Sequence, residues 1–377
     1  MKGEINNILF KVHWQVHLVI SLRILPFSNT VMFANNSSTN PLIPDEYSLS
    51  VQNGTCLLPI DRMANMICFA TIYSLLLIAS LVGNSLLIFA SLKSKMTMNL
   101  LIANIAASDV LFSIVHFPRE ILDQVKGSTA FLVHGRIGHV LCKICAFTAD
   151  ATIAVSTLSL ILVAADRLIA VVFPAKYIQI TVKKRRLLIL YTWIVAMAIH
   201  SPYFYTFRLD AINGETLCIT NWEPAFNHES THTRYYTALL FVVLIVPLVT
   251  VCILQTITLL RLKDDKMQPF LSSLANQRRK KRTKMLLKMS VVIALAFALC
   301  WLPFIALQFL LLYFPSSIPN CSFGFTIFNQ FAILFALCHC MVNPCICFTF
   351  LGRIRIVLKS INAISRKKSS TFIETRL

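Results

Sequence analysis

Long apolar runs separated by short polar ones set the rhythm of this chain. Five windows carry no charged residue: 63–92, 187–207, 235–260, 289–314 and 323–351. A helix needs roughly 20 apolar residues to cross about 30 Å of bilayer hydrocarbon, and each window reaches that length. Two more windows are apolar with isolated charges. Window 96–125 holds Asp109 and, near its far end, Arg119, Glu120 and Asp123; window 144–165 holds Asp150. The pattern predicts an all-α membrane protein, a seven-transmembrane helix bundle with its termini on opposite sides. After Gly352 the stretch from Arg353 to Ile364 reads as a short basic amphipathic helix on the anionic inner leaflet. The expected division is a glycosylated, disordered extracellular segment at 1–62, the seven-transmembrane domain at 63–351, and the amphipathic helix and tail at 352–377.

Charge gives the bundle a direction. Only 14% of the residues are charged and 56% are hydrophobic, against about 25% charged in a soluble domain, so the solvent is a membrane. The 35 Lys+Arg outnumber 16 Asp+Glu, for a formal net charge of +19. A basic chain can signal nucleic-acid binding. Here the cations cluster between apolar runs, at Lys183-Lys184-Arg185-Arg186, Arg278 to Arg282 and Arg366-Lys367-Lys368, the pattern of cytoplasmic loops. The alternate loops carry Asp210, Glu215, Glu223 and Glu229. The expectation is a plasma-membrane protein with its N-terminus outside and its tail inside, and no nucleic-acid partner.

Most of the 12 cysteines lie inside apolar windows, where they act as small hydrophobes. No CxxC…CxxC array calls for zinc. Cys56, Cys142, Cys218 and Cys321 fall at or beyond window ends on the outer side, where oxidation is possible. Asn35, Asn36 and Asn53 start N-x-Ser/Thr sequons, and Asn320 starts another in the last outer loop; such sequons also arise by chance. Residues 5–25 are apolar but broken by Lys11, His13, His17 and Arg23, a poor signal peptide. They read either as a disordered start or as sequence upstream of initiation at Met32.

The spans also carry one mark each, in order. The first has Gly83-Asn84. The second runs from Leu100-Leu101-Ile102-Ala103-Asn104 to Ser108-Asp109. The third begins at Cys142 and ends in Asp166-Arg167-Leu168. The fourth has Trp193 and Pro202, and the fifth Pro247. The sixth reads Phe297-Ala298-Leu299-Cys300-Trp301-Leu302-Pro303, and the seventh Asn343-Pro344-Cys345-Ile346-Cys347. From about Met63 to Leu358 the chain resembles the rhodopsin-like G-protein-coupled receptors, most of all those of the neuropeptide type.

The resemblance implies roles that residue chemistry makes reasonable. Asp109 is an ionisable group at mid-bilayer depth, costly and usually functional; Asn84, Ser156, Asn343 and His339 are candidates to face it. In the family this cluster, here Asp109, Ser156 and Asn343, holds a sodium ion, the one cofactor-like partner expected. Interhelical hydrogen bonding alone is the plainer alternative. Arg167 is expected to be held by Asp166 at rest and to turn to the G protein when active, although a snorkelling Arg would look the same. Phe297 and Trp301 are expected to repack around the Pro303 hinge, with Asn343 and Pro344 completing the activation set. Cys142–Cys218 is implied as a disulfide, and Cys56–Cys321 is a possible second. Arrestin and receptor kinases are implied as further partners. Two positions depart from the family pattern. Cys347 and Gln255 stand where tyrosines are usual, which puts G-protein efficiency in question.

The same resemblance narrows the ligand. Amine receptors use an Asp where this chain has Ala149, and Asp150 is turned about 100° from it. Opsins need a lysine that window 323–351 lacks. Glu120, Asp123, Asp150 and Gln308, with Trp301 beneath, are expected to form an anionic mouth for a cationic or amidated peptide; solvated rim charges are the alternative. His228-Glu229-Ser230-Thr231-His232 matches a zinc-protease pattern, but it is expected in a short outer loop, and the chain reads as a non-enzyme. Thr375-Arg376-Leu377 resembles a PDZ-domain ligand. Ser365, Ser369, Ser370 and Thr371 are candidate kinase sites beside basic residues. The competing functions are a receptor of this fold with weak or no G-protein coupling, and a transporter. Transporters usually show internal repeats, and none is evident here.

Overall fold

The computed structural model describes residues 62–93, 99–173, 177, 179–212, 214–264, 274–314 and 323–350. The sequons at Asn35, Asn36, Asn53 and Asn320, the Cys56–Cys321 pairing, the amphipathic helix and the C-terminal sites lie outside these residues. The described residues fold into seven helical segments: α1 (Arg62–Lys93), α2 (Asn99–Lys126), α3 (Gly135–Val172), α4 (Val182–His200, extended by a further turn, Tyr203–Thr206), α5, α6 (Leu274–Tyr313) and α7. Helix α5 has three parts, His228–Leu239, a π-helical stretch Leu240–Ile245, and Val246–Asp264. Helix α7 comprises Phe323–Leu337 and His339–Phe350, bent by 43°. Six of the helices are long and apolar enough to cross a membrane, and α7 makes a seventh when its halves count as one span.

Several helices outrun their apolar windows. Helix α3 starts at Gly135, α5 at His228 and α6 at Leu274. Hydropathy marks the depth of the hydrocarbon. A helix satisfies its backbone locally and continues into water where good helix formers such as Lys and Arg follow. The start of α5 is capped by Asn227, whose Oδ1 accepts from Ser230 N at 3.1 Å.

Helix α3 is central, touching α2, α4, α5 and α6, while α1 packs on α2 and on the second half of α7. Leu87, Phe112, Phe117, Phe297 and Trp301 are buried between helices, whereas Ile78, Val82, Ile194, Val249 and Leu302 are exposed and face lipid. The prolines shape the helices through their missing N–H. Pro344 leaves Cys340 O without its helical donor, and Asn84 Nδ2 on α1 supplies one at 2.7 Å. The adjacent Gly83 admits the proline ring, since a Cβ there would lie 3.1 Å from Pro344 Cγ. The π-helical stretch of α5 precedes Pro247, a common setting for a widened turn.

The α4–α5 connection was not anticipated as regular structure. It forms an antiparallel hairpin, β1 (Phe207–Ile212) with β2 (Glu215–Thr220), in which Leu209 faces Cys218. The bundle is all-α as expected; this connection is not. Gly214 makes the turn at φ +82°, where a Cβ is disfavoured. We call this the hairpin end of the bundle, and the end holding Arg167 the far end.

Candidate functional site

At the hairpin end, Cys142 of α3 is bonded to Cys218 of β2, with Cα atoms 5.7 Å apart. Phe131 N donates to Thr216 O at 2.7 Å, and Leu209 N donates to His139 Nδ1 at 3.3 Å. The hairpin is thereby fastened over α3. Tyr203, Phe207 and Tyr236 are buried beneath it.

A cavity lies among α3, α4, α5 and α6. Its polar lining comes from Asp150, His200, Tyr203, Tyr236, Trp301 and Gln308; the rest is aliphatic or aromatic. The structure thus brings together three of the five expected ligand residues, Asp150, Trp301 and Gln308. Tyr203 donates to Asp150 Oδ2. The offset of Asp150 from Ala149 does not take it out of the bundle, because both are buried. The cavity extends toward α4 and α5, which is the side Asp150 faces. The argument against a small amine that rested on this offset is weakened accordingly.

Glu120 and Asp123 are not in this lining, and the expected anionic mouth is not one site. Both follow a basic or imidazole residue by four positions on α2, where helical neighbours meet. Glu120 is buried with Oε1 3.6 Å from His116 Nε2, and Asp123 Oδ2 is 3.9 Å from Arg119 Nε. Glu120 is buried and Asp123 half-buried, and neither lines the cavity wall.

Trp301 forms part of the cavity wall and leads inward. Its ring lies 5.7 Å from Phe297, 5.6 Å from Phe304 and 5.3 Å from His339. His339 Nε2 is 3.9 Å from Asp109 Oδ1. Asp109 is fully buried; Ser156 Oγ donates to Oδ1 at 3.0 Å and Asn343 Nδ2 to Oδ2 at 2.9 Å. All three expected sodium-site residues therefore meet. Asn84 does not join them: its amide donates to Ser80 and to Cys340 O, because the proline gap claims it. Asn104 is also explained by partners, donating to Ser159 Oγ at 2.8 Å and accepting from Trp193 Nε1 at 2.9 Å.

At the far end Arg167 donates to Asp166 Oδ2 and to Tyr177 Oη at 3.0 Å. A second cation shares the carboxylate, for Arg185 Nη1 of α4 lies 2.6 Å from Asp166 Oδ1. In sequence Arg185 is one of four consecutive cations with the pattern of a cytoplasmic loop. A signal was present. Arg185, Thr192, Ala196 and His200, the buried residues of α4, recur at intervals of seven, four and four, one helical face. His200 and Tyr203 carry no such signal: they sit where α4 ends, and Tyr203 is covered by Asp150 of α3 and by Tyr235 and Tyr236 of α5. Gln255 Nε2 donates to Ser290 Oγ at 3.1 Å. Gln255 and Cys347, the two positions lacking tyrosine, line one small cavity with Ser290 and Asn343.

The His228–His232 pattern lies on the first turns of α5, not in a loop. The two rings are 5.3 Å apart, and His232 packs on Tyr236 at 4.5 Å. His228 Nδ1 accepts from Trp222 N at 3.4 Å. Their observed contacts are with aromatic rings and backbone.

The family model described as 7 transmembrane receptor (rhodopsin family) matches residues 83–346. The chain is similar to the QRFP-like peptide receptor of Branchiostoma floridae, at 29% identity over 239 residues; these cover 62% of this chain and 61% of that receptor, less than two thirds of its length. It is 28% identical to neuropeptide FF receptor 2 of Mus musculus over 324 residues, 80% of this chain and 74% of the relative. It is 27% identical to neuropeptide Y receptor type 1 of Xenopus laevis over 318 residues, 79% of each. The matched stretch begins at Gly83, ends two residues past Pro344, and includes Asp109, Arg167 and Trp301. This chain is a multi-pass membrane protein and belongs to the rhodopsin family of seven-transmembrane receptors.

Proposed function

We propose that the protein is a receptor for an extracellular peptide with a cationic or amidated group, and that it activates a heterotrimeric G protein. The hairpin end and the N-terminus face outward, and the far end, with the basic run Arg278 to Arg282 near the start of α6, faces the cytoplasm. The observation that carries the reading is a continuous buried path: the cavity meets Trp301, Trp301 meets His339, and His339 meets Asp109. A ligand against Trp301 favours the state with α6 swung out about Pro303 and Arg167 released from Asp166, a population shift rather than a chemical step. The names of the three relatives above, each a peptide or neuropeptide receptor, support the ligand class.

Asp109, Ser156 and Asn343 offer carboxylate, hydroxyl and amide oxygens, a donor set suited to a hard cation such as sodium. In this reading the ion steadies the resting state. Arrestin and receptor kinases are further partners, and catalysis has no part in the function.

The test is expression with a promiscuous G protein and a calcium readout, challenged with basic and amidated peptides and with amine and lipid controls. A peptide response supports the reading. A response to lipids alone contradicts it. A second reading has one specific observation in its favour: Gln255 and Cys347 border the same cavity where the family's tyrosines would stand. In that reading the receptor binds ligand with weak coupling. Ligand binding at the cell surface without nucleotide exchange would establish it.

A further inference from the structure

We propose that the cavity among α3, α4, α5 and α6 is a subsite for one cationic group on an aliphatic stem, a primary ammonium or a guanidinium, received by Asp150 and Gln308. The inference rests on the receptor reading only for the role of this cavity as a ligand site. Asp150 is 3% exposed and Gln308 6% exposed. Asp150 Oδ1 and Gln308 Oε1 are both buried without a hydrogen-bond partner, and both residues line the cavity. Both atoms are acceptors. A buried acceptor without a donor is costly, so two of them beside one empty space specify a ligand that donates.

Charge narrows the ligand further. No lysine or arginine lines the cavity. Arg119 acts on Asp150 as well as on Asp123 but does not line the cavity, and neither do Glu120 and Asp123, so Asp150 is the carboxylate that a ligand in this cavity meets. Its orientation is held by Tyr203, which donates to Oδ2 and packs on His200 at 5.5 Å and Phe207 at 4.7 Å. The other oxygen is left for the ligand. Leu239, Val243 and Phe304 supply apolar wall, which suits the methylene stem of a long basic group. Trp301 Nε1 is also without a partner; as a donor it suits a carbonyl beyond the stem, which a peptide has and a free alkylamine lacks.

The experiment uses the purified full-length receptor in lipid nanodiscs, with thermal unfolding as readout. The probes are n-butylammonium, n-butylguanidinium and the neutral isostere n-butylurea. Both cations should raise Tm with concentration, and n-butylurea should not. Asp150→Asn should weaken both cations roughly tenfold to a hundredfold, the range for charge-assisted hydrogen bonds. Gln308→Leu should weaken them less. Tyr203→Phe keeps the carboxylate and frees its orientation, so a partial loss there supports the assignment even if Asp150→Asn fails to fold. Equal shifts with n-butylurea, or no shift with any probe, would overturn the proposal. So would a loss confined to Glu120→Gln, which would put the cation on α2. An N-acetylated Gly-Gly-Arg amide and its citrulline counterpart separate the two sources of the cation. Tighter binding of the arginine peptide than of n-butylguanidinium assigns the group to a peptide. Equal or weaker binding sinks the peptide reading above while leaving the Asp150 subsite in place.

Discussion

Gly83 and Asn84 show how much one helix contact depends on single side chains. A Cβ at Gly83 would press on the Pro344 ring at 3.1 Å. Gly83→Val is expected to cost about 1–3 kcal/mol through overpacking, read as a lower Tm in detergent. Asn84→Ala removes the donor to Cys340 O and leaves a buried carbonyl unpaired, a penalty of about 1–3 kcal/mol. Asn84→Asp keeps the shape and not the donor, so it should fare no better in the same melt. Asp109→Asn addresses the proposed ion. Sodium should lower agonist affinity in the wild type, and titration of radioligand binding with sodium chloride should show that dependence abolished in the variant. An unchanged sodium dependence would remove Asp109 from the site.

The third helix is tied at both ends, to the hairpin at one and to α4 at the other, and the two ties differ in kind. At the hairpin end the Cys142–Cys218 bond spans 76 residues of sequence. Loop-closure entropy for that length sets an upper limit of about 4 kcal/mol, and the intervening spans already restrain the unfolded chain. Replacing both cysteines with serine should lower surface expression and displace the hairpin from above the cavity, weakening ligand binding in intact cells. At the far end Arg185 holds Asp166 from α4 while Arg167 holds it from α3. Arg185→Gln leaves the carboxylate to Arg167 alone, so the resting pair tightens. Basal nucleotide exchange is expected to fall, measured as GTPγS binding in membranes. A rise would mean that Arg185 acts chiefly to brace the resting state.

The whole bundle divides at Trp301 into a half that holds the proposed ligand cavity and a half that holds the Asp109 and Asp166 clusters. In the proposed function both halves move together, and Gln255 and Cys347 face one small cavity in the second half. The double variant Gln255→Tyr with Cys347→Tyr should fill that space and restore the aromatic pair usual in the family. Ligand-driven nucleotide exchange is expected to rise above wild type. No change in exchange, with normal expression, would mean that Gln255 and Ser290 already serve the active state by other contacts.

What the sequence determined by itself follows from the two strongest local signals. Seven apolar windows require a membrane, and the ordered marks from Gly83 to Pro344 carry the family; both are legible because lipid and proline act on the residues next to them in the chain. Asp109, Ser156 and Asn343 could be named together from the resemblance, although they are far apart in sequence. Tertiary structure decided the rest. Glu120 and Asp123 look like a mouth in one dimension, but helical neighbours four positions away claim them. Asp150 looks misdirected beside Ala149 until α4 and α5 are seen to border the space it faces. Arg185 looks like one solvated cation among four until its helix turns it onto Asp166. In each case the deciding partner lies on a helix face, and a charge in a linear sequence does not state which way its helix is turned.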